Sequence, residues 1–392
     1  MAIGQKDWFI LDPQTVYLTH GTFGGCLKTA FDNKVKWHKK IESDPFGFIN
    51  NHAFNDLEYS RKILSNYLNC SYQDIVYFPN PSTALNAVIK SMPLSNDDEV
   101  LTTNHEYGSL DRTWKYYSSL KGYIYKSITI DIPYDDKQIF IDSFLNQITD
   151  KTKIIYLSHI TSSTGLIFPV KEICEIARKH NIISIVDGAH APGQIPVDIS
   201  KINPDIYVGA CHKWMCSPKG VSFLYAKKTI QNSIDPLVIS WGWNSDNPGQ
   251  SQFIDYHQYQ GTNDISAYLT IPSIIDFFEK KNWIDIQKKC HELIVDFLNN
   301  YKDKIILSSN NQNHIAQMLS FKINSNSKLV RDVLNNPNEI LNAQNKIFDY
   351  NQIRIPVIVW NQEIFMRVSI QAYNKPQDLE KMLEMLKYFN LF

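Results

Sequence analysis

The chain has 392 residues, of which 43% are hydrophobic, which is enough for a large core and indicates about two domains. Lysine and arginine number 39 against 40 aspartate and glutamate residues, so the formal net charge is −1 and neither nucleic acid nor an anionic membrane is expected as a partner. No apolar run is long enough to span a bilayer, and residues 1–14 lack the apolar stretch of a signal peptide, so the sequence predicts a cytoplasmic protein.

The six cysteines are scattered along the chain. They form neither a CxxC pair nor a cluster with histidines at zinc-binding spacing. In a chain of this size they are typical of reduced, partly buried side chains, and we expect no disulfide framework and no metal site.

Short apolar runs alternate with helical periods between about residues 74 and 225. The predicted elements are, in chain order, a strand at 74–78, a helix at 82–91, strands at 99–103 and 153–160, a helix at 169–180, and strands at 182–186, 206–210 and 221–225. The runs at 153–160 and 182–186 are almost wholly apolar, as in strands that are covered on both faces. This alternation predicts an α/β domain with a mostly parallel sheet.

The pattern changes after about residue 260. Helices are predicted at 266–278 and 283–301, strands at 315–323 and 365–370, and a closing helix at 376–389. These elements indicate a smaller α+β domain, beside which the N-terminal segment packs. The predicted division is a large domain at 20–265 and a small domain made of 1–19 and 266–392.

An acid and a lysine follow two of the predicted strands. Asp187 stands at the carboxyl end of a buried strand, where α/β sheets bind ligands. Lys213 lies in an apolar stretch after the next strand, and burial lowers the pKa of a lysine and makes it a better nucleophile for a carbonyl. Taken alone, such an acid is more often a cap and such a lysine is more often solvated. Together they fit pyridoxal phosphate (PLP), which needs a lysine for its aldehyde and an acid for its pyridine nitrogen.

A third segment leads from a strand into hydroxyl-bearing residues at the start of a helix. Ser82, Thr83 and Ala84 begin the predicted helix after Phe78. The first N–H groups of a helix bind phosphate, although a hydroxyl residue at this position is equally well explained as a plain N-cap.

These residues resemble the class V aminotransferase-fold PLP enzymes, and within them the branch of isopenicillin N epimerase-like proteins and ergothioneine-type carbon–sulfur lyases. The matching segments follow the family order over nearly the whole chain, at 18–24, 80–86, 104–108, 186–193, 210–214, 260–262, 366–369 and 373–374. The resemblance implies the α/β architecture of PLP-dependent transferase fold type I, with a mostly parallel seven-stranded sheet in the large domain.

The resemblance also implies a role for each matching residue. Lys213 would hold PLP as a Schiff base and shuttle the α-proton, and Asp187 would pair with the pyridine nitrogen. His190 would lie near the phenolic oxygen or the substrate, and Tyr107 would stack on the ring, with His105 as the alternative. Further cofactor contacts would come from Ser82, Thr83, Ala84, His212, Gly261 and Thr262, and substrate contacts from His20, Thr22 and Arg367.

Five of these residues have a specific binding role or an open structural alternative. Arg367 would form a bidentate pair with the substrate carboxylate, for which a guanidinium group is suited. Thr262 would reach the phosphate of the partner subunit in a homodimer that shares its active sites. For His20, His105 and Tyr107, a purely structural role is an equal alternative.

The reaction type depends on one departure from the family pattern. Cysteine desulfurases of this fold carry a nucleophilic cysteine shortly before the position of Arg367, and the corresponding stretch at 350–360 has none. The sequence therefore predicts β-elimination from a cysteine conjugate or its S-oxide by a C–S lyase. The alternatives are an amino acid epimerase, an aminotransferase, and an inactive PLP-fold binding protein, which the retention of Lys213 and Asp187 argues against.

Overall fold

The computed structural model describes residues 3–249 and 251–392. The strands in these ranges are β1 (Val16–Tyr17), β2 (Ile75–Phe78), β3 (Glu99–Thr103), β4 (Ile124–Ile128), β5 (Thr152–Ser158), β6 (Ile183–Gly188), β7 (Ile206–Ala210), β8 (Ser222–Ala226), β9 (Met318–Lys322), β10 (Ile353–Arg354), β11 (Val357–Trp360) and β12 (Glu363–Ser369).

Helices connect and cover these strands. The α-helices in the described ranges are α1 (His20–Phe23), α2 (Lys28–Ser43), α3 (Pro45–Asn51), α4 (Ala53–Leu68), α5 (Pro81–Ser91), α6 (Gly108–Lys121), α7 (Lys137–Leu145), α8 (Val170–Lys179), α9 (Ile199–Ile202), α10 (Lys228–Gln231), α11 (Gln252–Gln258), α12 (Ile271–Lys280), α13 (Trp283–Tyr301), α14 (Lys328–Asn335), α15 (Ile340–Asn351) and α16 (Pro376–Tyr388). Short 3-10 turns lie at Lys6–Trp8, Tyr72–Asp74, Tyr268–Thr270, Gln312–His314 and Pro337–Glu339.

A seven-stranded sheet forms the centre of the fold, in the order β2-β8-β7-β6-β5-β3-β4. Strands β3 to β7 run parallel to one another, whereas β8 is antiparallel to both of its neighbours, β2 and β7. The predicted α/β class with a mostly parallel seven-stranded sheet is confirmed.

Side chains that alternate along each strand cover opposite faces of this sheet. In β5, Ile155 and Leu157 belong to the same apolar cluster as Ile173 of α8. Tyr156, between them, belongs to a second cluster with Trp114 of α6. The near-continuous apolar runs predicted from the sequence are therefore strands that are buried on both faces.

A second, antiparallel sheet has the order β11-β12-β9. The N-terminal strand β1 pairs in parallel with β10, and Thr19 makes a bridge to Ser369 at the end of β12. The N-terminal segment thus lies beside the elements that follow residue 266. The division into domains at 19/20 and 265/266 stays a prediction.

Most predicted elements differ from the structure by only one to a few residues at their ends. The predicted helix at 266–278 is divided into the turn Tyr268–Thr270 and α12, in which Pro272 lies in the first turn. Several elements have no counterpart in the sequence prediction, among them α2, α4, α6 and β4. Strand β4 lies at the sheet edge and leaves Ile124 exposed, so its apolar pattern is weak. No helix in the described ranges combines the length and apolar character that a membrane crossing requires.

Candidate active site

A cavity of about 360 Å³ lies where the carboxyl ends of β5, β6 and β7 meet the start of α5. This is the edge at which parallel α/β sheets bind ligands. Seven of the residues predicted to form a site line it: Thr22, Ser82, Tyr107, Asp187, His190, His212 and Lys213.

Lys213 lies just after β7, with its side-chain nitrogen at the centre of these groups. Its Nζ is 3.0 Å from Nε2 of His190 and 5.9 Å from the centre of the Tyr107 ring. Burial lowers the pKa of Lys213 to about 8; nearby Asp187 opposes this shift, and Arg367 adds to it. An amine with this pKa is unprotonated far more often near neutral pH than an ordinary lysine, and the unprotonated amine is the form that attacks a carbonyl.

The backbone around Lys213 is held closely by the N-terminal segment. Gly24 has a φ of +72°, and a Cβ atom there would lie 2.1 Å from the carbonyl oxygen of His212. The Nε2 atom of His20 is 3.0 Å from the carbonyl oxygen of Lys213. Burial lowers the pKa of His20 to about 3, so its ring is neutral and donates through Nε2. His20 therefore holds the backbone of Lys213 in place. It is not among the residues that line the cavity.

Asp187 ends β6 and is only 3% exposed. Its Oδ1 accepts a hydrogen bond from the Ala189 N–H at 2.9 Å, and its Oδ2 accepts one from the Tyr156 hydroxyl at 3.4 Å. Burial raises the pKa of Asp187, whereas the Ala189 N–H, Lys213 and Tyr156 favour its charged form. The carboxyl group is thus positioned by its own turn and by the neighbouring strand, and it lines the same cavity as Lys213.

His190 lies between Lys213 and the indole ring of Trp214. The Trp214 Nε1–H donates to Nδ1 of His190 at 3.3 Å. Burial, followed by the charge of Lys213, keeps the pKa of His190 well below its usual value. The imidazole is therefore a neutral hydrogen-bonding group beside the amine.

The start of α5 forms another wall of the cavity. Asn80 caps this helix, accepting hydrogen bonds from the Thr83 N–H at 2.8 Å and from the Thr83 hydroxyl at 3.0 Å. Ser82 faces the cavity, whereas Ala84 is buried in the core. His212 lines the same region, with its Nδ1 2.9 Å from the Val221 carbonyl oxygen. Pro81 has no N–H, and the N–H groups of Thr83 and Ala84 are bound to Asn80, so the hydroxyl and backbone N–H of Ser82 are the donors available to an anion here.

Arg367 projects from β12 toward the cavity and is buried. Its Nη2 donates to the Thr22 hydroxyl at 3.0 Å, and its Nη1 donates to the Ser162 carbonyl. Both of these partners line the cavity, and the Nε–H of Arg367 is buried without a hydrogen-bond partner. A buried, unpaired donor on a guanidinium group indicates that a further acceptor, such as a carboxylate, belongs beside it.

Three other predicted residues lie outside the cavity lining. His105 is buried, with Nε2 2.8 Å from the Ile130 carbonyl oxygen and Nδ1 2.8 Å from the Thr164 hydroxyl. Of His105 and Tyr107, only Tyr107 faces the cavity. Gly261 and Thr262 lie in a loop away from it, where Thr262 is exposed. Their roles in cofactor binding, like those of the other predicted site residues, stay predictions.

Sequence reasoning missed several residues of the site. Glu106 is buried between the Thr103 hydroxyl at 2.7 Å and the Ser158 hydroxyl at 2.6 Å. Burial raises the pKa of Glu106 to about 8. Ser158 pairs with Asp187 across the sheet and lines the cavity with Ser162. Both residues could have been found from the sequence. Glu106 adjoins Tyr107, and Ser158 is a polar residue at the end of an apolar strand.

The chain matches the Aminotransferase class-V family over residues 46–382. It belongs to this family. The cavity fits the family's cofactor, PLP, because it combines a lysine of lowered pKa, a buried acid and the open donors of Ser82 at a helix start. The expectation of PLP as the cofactor is confirmed.

Relatives of this class-V protein carry several activities in their names. Isopenicillin N epimerase of Amycolatopsis lactamdurans is 24% identical over 96% of both chains. A probable chloroplastic L-cysteine desulfhydrase of Arabidopsis thaliana is 23% identical over 95% of this chain and 82% of its own length. Hercynylcysteine sulfoxide lyase of Schizosaccharomyces pombe is 23% identical over 74% of each chain. The resemblance to the epimerase and C–S lyase branch is confirmed.

Solved structures share the fold over almost the whole chain. The cystine C–S lyase C-DES, in complex with its product cysteine persulfide, superposes with a TM-score of 0.83 at 19% identity, covering 96% of this chain and 98% of that one. A C-DES variant with glycine covalently linked to its PLP cofactor gives a TM-score of 0.80 at 18% identity, covering 96% and 97%. At these identities the likeness shows the fold alone. It confirms the predicted architecture of a PLP-dependent transferase.

Proposed function

We propose that this class-V protein is a PLP-dependent C–S β-lyase that acts on a cysteine conjugate or its S-oxide. The observation that carries the proposal is the grouping of Lys213, His190 and Asp187 in one cavity with Arg367 beside it, its Nε–H unpaired. Two of the named relatives are C–S lyases or desulfhydrases, which favours β-elimination over the other fates of an α-carbanion.

PLP, when bound, supplies an aldehyde that bonds to amino groups and a ring that accepts electrons from the α-carbon. The chain's own residues supply the rest. Lys213, with a pKa of about 8, can accept a proton from the substrate α-carbon and return it later. Asp187, buried at the end of β6, would pair with a protonated ring nitrogen.

Substrate binding is assigned to Arg367. Its unpaired Nε–H and its Nη2, which is bound only to a hydroxyl, can together engage an α-carboxylate in a bidentate pair. The two oxygens of that carboxylate would fix the substrate's orientation relative to Lys213. Because the substrate is held in this orientation, its α-proton would point toward the Lys213 amine.

Among the residues that the structure describes, no cysteine lines the cavity, which separates this proposal from a reaction that forms a persulfide on the enzyme itself. Cys211 and Cys216, which flank Lys213 in sequence, are buried in the core, and burial keeps the pKa of both thiols well above the usual range. Thiols of this kind are poor nucleophiles, since the reactive form is the thiolate. Sulfur would therefore leave on a small-molecule product and not as an enzyme-bound persulfide.

We also propose that the protein is a homodimer that shares its active sites. A cavity of about 830 Å³ is lined by Phe54, Arg61, Trp241 and Tyr259, among others. Trp241 is 81% exposed, and the buried Nε–H of Arg61 has no hydrogen-bond partner. The Tyr259 hydroxyl is 3.3 Å from that of Thr262, so a second copy covering this surface would lie next to Thr262. An active monomer, identified by light scattering of the assayed protein, would contradict this arrangement.

The cytoplasmic location of the protein stays a prediction.

The reaction is tested by incubation in heavy water with a panel of amino acids and cysteine S-conjugates, followed by mass spectrometry. Pyruvate together with a released sulfur product is the expected result. An intact amino acid that carries deuterium at its α-carbon, without pyruvate, would contradict the lyase proposal. That outcome would favour an epimerase, the activity named for the relative that matches 96% of both chains.

The assignment of Lys213 is tested separately. Lys213→Ala should abolish the visible absorption of the lysine–cofactor bond in purified protein. The matched control is Lys227→Ala, because Lys227 lies outside the cavity, 3.9 Å from Asp205. A band that survives in Lys213→Ala would refute the assignment, and a wild-type protein with no band at any pH would favour the inactive binding protein.

A further inference from the structure

Hydrogen bonds link Trp214 to His190 and His190 to Lys213, and the atoms involved determine which group donates in each. An indole N–H can only donate a hydrogen bond, so Nδ1 of His190, 3.3 Å from Trp214 Nε1, must be the acceptor. In a neutral imidazole only one nitrogen carries a proton. The proton of His190 is therefore on Nε2.

Nε2 is the nitrogen that faces Lys213, at 3.0 Å from Nζ. Because Nε2 donates, Nζ must accept through its lone pair, which only the unprotonated amine possesses. A protonated Lys213 would meet an N–H group instead of an acceptor. The arrangement thus disfavours the ammonium form of Lys213 independently of how deeply it is buried.

His212, next in sequence to Lys213, has the opposite tautomer. Its Nδ1 lies 2.9 Å from the Val221 carbonyl oxygen, which can only accept, so its proton is on Nδ1. Two neutral histidines at one cavity therefore present different nitrogens as donors. This contrast provides an internal reference for measurement.

Trp214 is itself rigidly placed. It is fully buried, and its ring lies 4.8 Å from that of His20. At Gly193, a Cβ atom would lie 2.4 Å from the Trp214 carbonyl carbon, so the two backbones are in close contact. The indole N–H has little freedom to turn away from His190.

We propose that Trp214 is a positioning residue that holds His190 in its Nε2–H tautomer and thereby favours the unprotonated form of the Lys213 amine. The inference rests on the proposed function, in which Lys213 is the nucleophile. The charged or titratable groups that face Lys213 are Asp187, Arg367 and His190, and the Tyr107 ring lies over it. Without the indole donor, His190 can place its proton on Nδ1 and offer an Nε2 lone pair to an ammonium group, which stabilises protonated Lys213.

The first test measures the tautomers directly in the full-length wild-type chain freed of cofactor. In ¹⁵N-histidine NMR spectra, Nδ1 of His190 should give the signal of an unprotonated ring nitrogen, and Nδ1 of His212 that of a protonated one. His190→Gln and His212→Gln assign the two resonances by their loss. A protonated Nδ1 on His190 would overturn the proposal, and the tautomer is read from the spectrum of the wild-type protein.

The second test compares Trp214→Phe with Trp283→Phe. Trp283 is a matched control because it is also buried and its indole N–H donates to the Gly193 carbonyl at 3.2 Å, away from His190. The measured quantity is the rate at which added PLP forms its absorbing bond with the protein, as a function of pH. The midpoint of this profile should rise by about one pH unit in Trp214→Phe, the size expected from one hydrogen bond, and should not change in Trp283→Phe.

The outcomes separate the two proposals. Equal midpoints in wild type and Trp214→Phe, with the absorbing bond still formed, would overturn the role of Trp214 and leave the proposed function intact. If wild type forms no absorbing bond with PLP, the proposed function fails first.

Discussion

Replacing Arg367 by lysine keeps a positive charge beside the cavity and removes the planar set of donors. The guanidinium group already binds Thr22 and Ser162 through its two terminal nitrogens, and its Nε–H is buried and unpaired. A lysine ammonium group can replace one of these contacts but cannot form the bidentate pair with a carboxylate. We therefore expect Arg367→Lys to weaken substrate binding specifically at the α-carboxylate.

The magnitude follows from the donor that has no partner within the chain. A hydrogen bond to a charged group contributes about 1.5–3 kcal/mol. The loss of one such bond should therefore raise the dissociation constant roughly 10- to 150-fold. The assay is a competition titration with a non-reactive cysteine S-conjugate and with the matching cysteamine S-conjugate, which lacks the α-carboxylate. The first ligand should lose this affinity and the second should lose almost none.

Arg354→Lys is the matched control, because Arg354 packs over the Phe348 ring away from the cavity. It should leave both dissociation constants unchanged. Equal losses for the two ligands in Arg367→Lys would refute the carboxylate role and would indicate that Arg367 only supports the cavity wall through Thr22 and Ser162.

Three further predictions concern pH and packing. Because the pKa of Lys213 is lowered to about 8, the rate at which it bonds to PLP should rise with pH and level off above about 8; a rate that is flat from pH 6 to 9 would contradict this. Burial raises the pKa of Glu106 from 4.5 to about 8, so the folded state retains a proton that the unfolded chain releases. The free energy of unfolding of wild type, relative to Glu106→Gln, should therefore fall as pH rises from about 4.5 to about 8, and a constant difference in urea titrations would exclude this linkage. Gly188→Ala places a Cβ atom 2.2 Å from atoms of the Tyr207 ring, and the resulting overpacking should lower the free energy of unfolding by about 1–3 kcal/mol; an equally stable variant would show that the ring can move aside.

The central sheet was largely predictable because its signals are local. Strands such as β6 and β7 are buried along nearly their whole length, and their apolar runs are visible in the sequence without knowledge of their neighbours. The helix α8 shows its buried face in the spacing of Val170, Ile173 and Ala177. Elements with a weaker pattern, such as the edge strand β4, were missed because tertiary packing decides their conformation.

The chemistry of the cavity was predictable in part. Asp187 and Lys213 were found because each follows a strand, and the carboxyl ends of parallel strands converge on one edge of a sheet. The roles of Gly261 and Thr262 require a second chain, and they stay predictions. His20 and His105 show the limit of motif reasoning, since each fills its hydrogen bonds away from the cavity lining.

The sequence by itself thus determined the α/β sheet, the family and the lysine and acid on which PLP chemistry depends. Only the tertiary structure decided which side chains meet them. Arg367 reaches Thr22 across 345 residues of chain, and Trp214 reaches His190 across 24 residues that include α9 and β7. Hydrophobic periodicity acts over a few residues, whereas the direction of a hydrogen bond, and with it the protonation of Lys213, depends on where folding places donors and acceptors from distant segments.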